Sequence, residues 1–407
     1  MKELKALLGV VFCALLVLPV WAKEDVWEYP APDGDRDQKD LSFYEAPADQ
    51  AHLPHVDYAV RPQNVILMIG DGMGFNFVTL ARLASVGADG RLHMERPPVT
   101  GIMRTHSANN LVTDSGAAAT ALATGVRTDN RRIGIGPDNR HYKSILRVAQ
   151  DRDYRTALVV DVTISHATPA PFAANVENRN WQISIAQQQF ENRVDILMGG
   201  GRQYFLPEPQ GQRKDERNLL DEAREAGYSV IFSREQLLAQ DSLPVLGLFA
   251  HNHMTTFSPE PTLAEMTRTS LGLLSQSVAS EERPGFFMMV EGGQIDWAGH
   301  ANETDRAIRQ TLLFDMAVKE ALDFAQEDGN TLVIVTADHE TGGLMIRGNF
   351  DNVNASWHTG GHSAADVPIY AYGPGALHFA GTRDITEIPR IIADLWEFED
   401  FPVAITE

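Results

Sequence analysis

Several stretches of this chain are apolar without alternation: 64–70, 157–162, 194–198, 285–290, 331–336 and 367–372. A strand with one wet face alternates. A strand buried on both faces does not, and burial on both faces is the condition of a parallel sheet covered by helices. Between these runs lie segments with helical spacing, at 144–150, 180–189, 219–226, 262–279 and 304–326. In the last of them Ile308, Leu312, Val318, Leu322 and Ala325 recur at multiples close to 3.6. Strands and helices in alternation predict an α/β fold, a three-layer sandwich with a central, mostly parallel sheet between helices.

A second feature is the run Ser115-Gly116-Ala117-Ala118-Ala119-Thr120-Ala121-Leu122-Ala123-Thr124-Gly125. Alanine is the best helix former, and the spacing predicts a helix from Ser115 to a stop at Gly125. Small side chains let such a helix pack closely. Its first turn offers unpaired N–H groups to an anion, or Ser115 simply caps it.

The chain has 407 residues with a formal net charge of −21, which argues against nucleic acid or an anionic membrane surface as partner. Residues 1–22 read as a signal peptide: Lys2 and Lys5, an apolar run from Leu7 to Val20, and a small residue, Ala22, before the cut. Export to the periplasm or the medium follows, with no membrane attachment of the mature chain. Cys13, the only cysteine, falls inside that segment, so the mature protein must hold together without disulfides. Residues 23–63, acidic and proline-dotted, are expected as an N-terminal extension. Residues 64–407 form the main domain, with 203–245 as a surface excursion from the sheet.

The chemistry collects where strands end. One run ends at Asp71. Another leads into Glu291-Gly292-Gly293-Gln294-Ile295-Asp296-Trp297-Ala298-Gly299-His300, and a third into Asp338-His339. In an open parallel sheet, sites form beyond the carboxyl ends of the strands, so these groups should converge. Oxygen and imidazole ligands together suit zinc, and all-oxygen sets suit magnesium.

The segments Gly70-Asp71-Gly72-Met73-Gly74, Thr113-Asp114-Ser115-Gly116-Ala117-Ala118, Val290-Glu291-Gly292-Gly293, Asp296-x-x-x-His300 and Thr336-Ala337-Asp338-His339-Glu340 resemble the alkaline phosphatases in order and approximate spacing. The resemblance runs from about Asn64 onward. It implies a homodimer that hydrolyses small phosphate monoesters and releases inorganic phosphate, with two Zn2+ and one Mg2+ per subunit. One zinc would be held by Asp296, His300 and His362, and the other by Asp71, Asp338 and His339. Magnesium would take Asp71, His166, Thr168 and Glu291. Ser115 would be the nucleophile. Arg179 would clamp the phosphate, with Asp114 orienting it and Trp297 shaping the pocket. His362 is preferred to His358 because it keeps the family's spacing to the next strand, and His251, His253 and His358 are expected to be loop histidines. The chain departs from the best-known bacterial pattern at His166, where that pattern has aspartate, and at Trp297, where it has lysine.

Magnitudes say why metal is needed. A helix N-terminus offers about 0.3–1 kcal/mol to a negative charge, too little to ionise an alcohol. Zinc lowers the pKa of bound water from about 15.7 to about 7, worth about 12 kcal/mol at 1.36 per unit. The rival reading is a phosphodiesterase or other hydrolase on the same metal core. Related diesterases use threonine as nucleophile and lack the arginine, whereas this chain has Ser115 and Arg179.

Overall fold

The structure, a computed structural model, describes residues 36–349 and 352–406. The segment read as a signal peptide, Cys13 within it, and the first part of the expected N-terminal extension lie outside the described residues. Among the described residues no helix is long and apolar enough to cross a membrane.

The apolar runs form the middle of a ten-stranded sheet. Its strands are β1 (Asn64–Gly70), β2 (Val99–Arg104), β3 (Arg155–Thr163), β4 (Ile196–Gly200), β5 (Ser229–Ile231), β6 (Val245–Leu248), β7 (Phe286–Gly292), β8 (Thr331–Thr336), β9 (Val367–Tyr372) and β10 (Gly381–Asp384). They lie in the order β10-β2-β9-β8-β1-β7-β3-β4-β6-β5. All run one way except β9, which is antiparallel to both neighbours. The unbroken run at 367–372 therefore reports burial on both faces, which all six residues have, and not direction.

Helices cover both faces: α1 (Phe75–Ser85), α2 (Ser115–Thr124), α3 (Ile145–Gln150), α4 (Leu263–Ser280), α5 (Gln294–Ala301), α6 (Thr304–Asp328) and α7 (Glu387–Leu395). Helices α1, α4 and α6 pack together as one layer, and α2, α3 and α7 as the other. The expected α/β sandwich with a mostly parallel sheet is what the chain forms.

Local signals set the ends of these helices. Thr262 and Glu265 close a capping box at the start of α4. Gly125 and Gly329 take left-handed conformations that end α2 and α6. Every residue of α2 is buried, so added methylenes there would overpack the layer at about 1–3 kcal/mol each.

One expectation needs correction. Residues 203–245 do not leave the sheet altogether, because Ser229–Ile231 forms its edge strand β5. Three residues are too few to show a period. The stretch after β7 folds as helix α5, which places Asp296 and His300 one turn apart.

Candidate active site

Strands β8, β1, β7 and β3 are neighbours at the centre of the sheet, and each delivers chemistry at its carboxyl end. Asp71 follows β1, Glu291 lies in the last turns of β7, Asp338 and His339 follow β8, and His166 and Thr168 follow β3. The ladder puts Ile69 beside both Glu291 and Thr336, so these ends are level with one another. Opposite them stands the first turn of α2.

The N-cap of α2 is Asp114, not Ser115. Its side chain accepts hydrogen bonds from the Ala117 amide at 2.9 Å and the Arg131 amide at 3.0 Å. Ser115 is thereby the first helical residue, with its hydroxyl left for other partners. Its Oγ lies 3.2 Å from Nε2 of His339. The second oxygen of Asp114 accepts from Arg179 at 3.0 Å. Burial opposes the charge of Asp114, but Arg179 and the two amides outweigh it and hold its pKa below the usual range.

Three groups of side chains each bring ligand atoms within 4.8 Å of one another: Asp296 with His300 and His362; Asp71 with Asp296 and His339; and Asp71 with His166 and Glu291. The second differs from expectation, because Asp296 completes it and Asp338 does not. Asp338 is nevertheless close, its Oδ2 lying 3.2 Å from His339 Nε2. Thr168 reaches Asp71 at 3.4 Å, beside the third group. His358 is exposed and stands in none of the three among the described residues.

In the first group, His300 Nδ1 sits 2.7 Å from the Gly360 carbonyl and His362 Nδ1 sits 2.9 Å from the Thr113 carbonyl. A carbonyl only accepts, so both Nδ1 atoms carry hydrogen. Both Nε2 atoms, 3.1 Å apart, then present lone pairs to each other unless a cation or proton lies between them. Asp296 faces both, at 3.3 Å from His300 and 3.5 Å from His362.

Electrostatics point the same way. Burial pushes Asp338 and Glu291 up to about 8. It also raises Asp71, to which Asp338, Asp296 and Glu291 add repulsion. Asp296 moves down, because His300 and His362 outweigh its burial. Burial lowers His339, and lowers His166 to about 3. Asp71 Oδ1, Asp338 Oδ2, both oxygens of Glu291 and His166 Nδ1 are buried without a hydrogen-bond partner. Unpaired buried carboxylates are costly, and divalent cations would relieve them. The donor sets fit metal.

Asp296, His300, His362 and His166 line a cavity of about 790 Å³ that also receives Ser115, Asp114, Arg179 and Trp297. Two side chains of this region had no role assigned from the sequence. Thr341 lies between metal groups: its hydroxyl donates to Asp296 and lies 3.3 Å from His339 Nδ1. His253, a loop histidine as expected, also lines the cavity and packs against Trp297 with ring centroids 4.6 Å apart. Deeper still, Asp161 accepts the Gly293 amide at 2.7 Å, and burial pushes it up to about 8. No spacing signal marks any of these, since each acts through tertiary contact.

Comparison with known proteins agrees with the geometry. Residues 62–355 match the family model for alkaline phosphatase. Alkaline phosphatase 4 of Bacillus subtilis (strain 168) is 39% identical over 312 residues, covering 73% of this chain and 64% of that protein. Alkaline phosphatase 3 of the same organism is 32% identical over 418 residues, covering 81% and 87%. The solved alkaline phosphatase of the Antarctic bacterium TAB5 superposes with a TM-score of 0.75 at 33% identity, covering 83% of this chain and 99% of that one. With a matching family model, relatives over most of its length, and the same sheet, the chain belongs to the alkaline phosphatase family.

Proposed function

We propose that this protein hydrolyses phosphate monoesters by double displacement through a phosphoserine at Ser115. The observation that carries the reading is the placement of the Ser115 hydroxyl 3.2 Å from His339 Nε2, with Arg179 in the same cavity and three cation-ready groups that reach it through Asp296, His300, His362 and His166.

Asp296, His300 and His362 would hold one zinc, and Asp71 and His339 the other, with Asp338, 3.2 Å from His339 Nε2, as its further ligand and Asp296 close to both sets. Asp71, His166, Thr168 and Glu291 would hold magnesium. Bound cations supply charge neutralisation, a lowered pKa for the serine hydroxyl and for the attacking water, and stabilisation of the leaving alkoxide. The chain's own residues do the rest. Arg179, anchored on one side by Asp114, offers the outer edge of its guanidinium to two phosphoryl oxygens. The first-turn amides of α2 that Asp114 leaves unpaired face the same anion. His362 and His300 are held by backbone carbonyls, so their reactive nitrogens cannot rotate away. In the first step the Ser115 Oγ–P bond forms, the ester P–O bond breaks, and the alcohol departs with a proton. In the second, water attacks phosphorus, the Oγ–P bond breaks, and inorganic phosphate leaves.

The same reading includes export of the mature chain and a homodimer. Hydrolysis of a chromogenic monoester at alkaline pH tests it, before and after chelation and with zinc and magnesium restored. Activity that is lost and regained supports the proposal. A fully metal-loaded protein that cleaves only diesters, or nothing, refutes it.

A further inference from the structure

Beside the third metal group stands His253, a ring that the proposed reaction leaves without a task. His253, His166 and Trp297 stand mutually edge to face. Interplanar angles are 83° for His253 with Trp297, 81° for His253 with His166, and 84° for His166 with Trp297. Edge-to-face rings fix one another's rotamers, because any rotation of one drives an edge into a face.

The His253 ring is itself fixed. Its Nδ1 accepts the Thr163 amide at 3.2 Å, so the ring hydrogen sits on Nε2. The backbone on either side is pinned as well. The Asn252 carbonyl accepts from the Gly201 amide at 2.6 Å, and the Met254 carbonyl accepts from Gln294 Nε2 at 2.7 Å. Gly200 permits this approach, since a Cβ there would fall 2.2 Å from the Asn252 oxygen. A loop held this firmly, at the end of a strand that carries no metal ligand, needs a reason.

The two rings that His253 touches supply one. His166 belongs to the group with Asp71 and Glu291, its Nδ1 lying 3.5 Å from Glu291 Oε1. Trp297 is the residue after Asp296. We infer that His253 is a positioning residue for the Asp71–His166–Glu291 group, its ring wedged so that His166 Nδ1 stays turned toward Glu291. The inference rests on the proposed metal-dependent reading of the site. It assigns to the wedge, and not to the hydrogen bond with Thr163, the task of preserving cation affinity at that group.

Two substitutions in the full-length protein separate these possibilities. His253→Asn keeps an acceptor for the Thr163 amide and removes the ring; His253→Phe keeps a ring and removes the acceptor. Each metal-free protein is loaded with zinc and then titrated with Mg2+, and bound metal is counted by mass spectrometry after equilibrium dialysis. Loss of a partner behind a ligand typically weakens metal binding about 10–100-fold, which is the shift in half-saturating Mg2+ expected for the Asn variant. The Phe variant should stay within about threefold of wild type, and zinc content should be unchanged in both. An Asn variant with wild-type Mg2+ affinity overturns the proposal whatever the Phe variant does. So does a Phe variant as weak as the Asn variant, because a ring alone would then not preserve the site. Failure of the phosphatase reading would show separately, as wild-type protein that binds zinc and Mg2+ normally and hydrolyses no monoester.

Discussion

Thr341→Val is the most informative single change outside the reacting groups. The side chain is fully buried, and valine matches its shape while deleting the hydroxyl. That hydroxyl donates to Asp296 and stands 3.3 Å from His339 Nδ1, so in neutral His339 it accepts the ring hydrogen and leaves Nε2 bare toward Ser115. Asp296 keeps His300 and His362 as partners after the change, but the His339 Nδ1–H loses its acceptor among the described residues. A hydrogen bond to a charged group is worth about 1.5–3 kcal/mol and an orphaned buried donor costs about 1–3. One hydroxyl serves both, so the two do not simply add, and about 2–4 kcal/mol is expected. Urea unfolding of the metal-free protein, followed by tryptophan fluorescence, reads that loss. Zinc titration should show affinity lower by about 10–100-fold. Thr341→Ser should restore most of both, since it returns the hydroxyl and omits only a methyl group. Wild-type stability and zinc affinity in the valine variant would refute the relay, and so would a serine variant as poor as the valine one.

Other outcomes follow from the same geometry. Ser115→Ala should abolish trapping of a phosphoenzyme while bound metal stays at wild-type levels; phosphate trapped on another residue would refute the nucleophile. Arg179→Ala removes two charge-assisted hydrogen bonds, about 1.5–3 kcal/mol each, and should weaken inhibition by inorganic phosphate by at least ~10²-fold. An inhibition constant within about twofold of wild type would refute the clamp. In metal-free protein, burial raises Asp338 from 3.8 to about 8 and Glu291 from 4.5 to about 8. The unfolded chain ionises them first, so their contribution to stability is complete below pH 4 and declines as pH rises to about 8. Cation binding favours the ionised forms, so stabilisation by added zinc and magnesium should grow from pH 5 to 9, measured by thermal unfolding. Equal stabilisation at both ends of that range would contradict the assignment of these carboxylates as ligands.

How much of this was legible in the sequence depended on whether a feature is written locally. The central strands were, because unbroken runs such as 64–70 and 331–336 have one explanation, burial on both faces. The Asp and His residues at their ends could be read because topology alone makes parallel strand ends converge. The edge strand at Ser229–Ile231 and the half-exposed Val99–Arg104 were missed, being too short or too mixed for a period to show. Helix α5 was not read from the sequence, because Gly292 and Gly293 just before it and Gly299 within it weaken any helical signal. Asp296 in the second metal group, Thr341 between two groups and His253 behind His166 are tertiary facts. Each pairs residues from different strands or loops, and no spacing along the chain encodes such an encounter.

The way the site is stitched together has a bearing on how the protein comes into being. Ser115 meets His339 across 224 residues, and His362 meets the Thr113 carbonyl across 249. Glu340–Thr341 and His362–Ser363 form a small antiparallel pair, and His362 lines the cavity. A nascent or nicked chain that lacks any one of these partners has scattered carboxylates and imidazoles, but no pocket to hold a cation tightly. Contacts of such long range form late and slowly, because the loops between them must be closed first. Tight cation uptake should therefore coincide with completion of the whole sheet and not precede it. An immature chain is thereby kept from acquiring a working hydrolytic centre before its fold is finished.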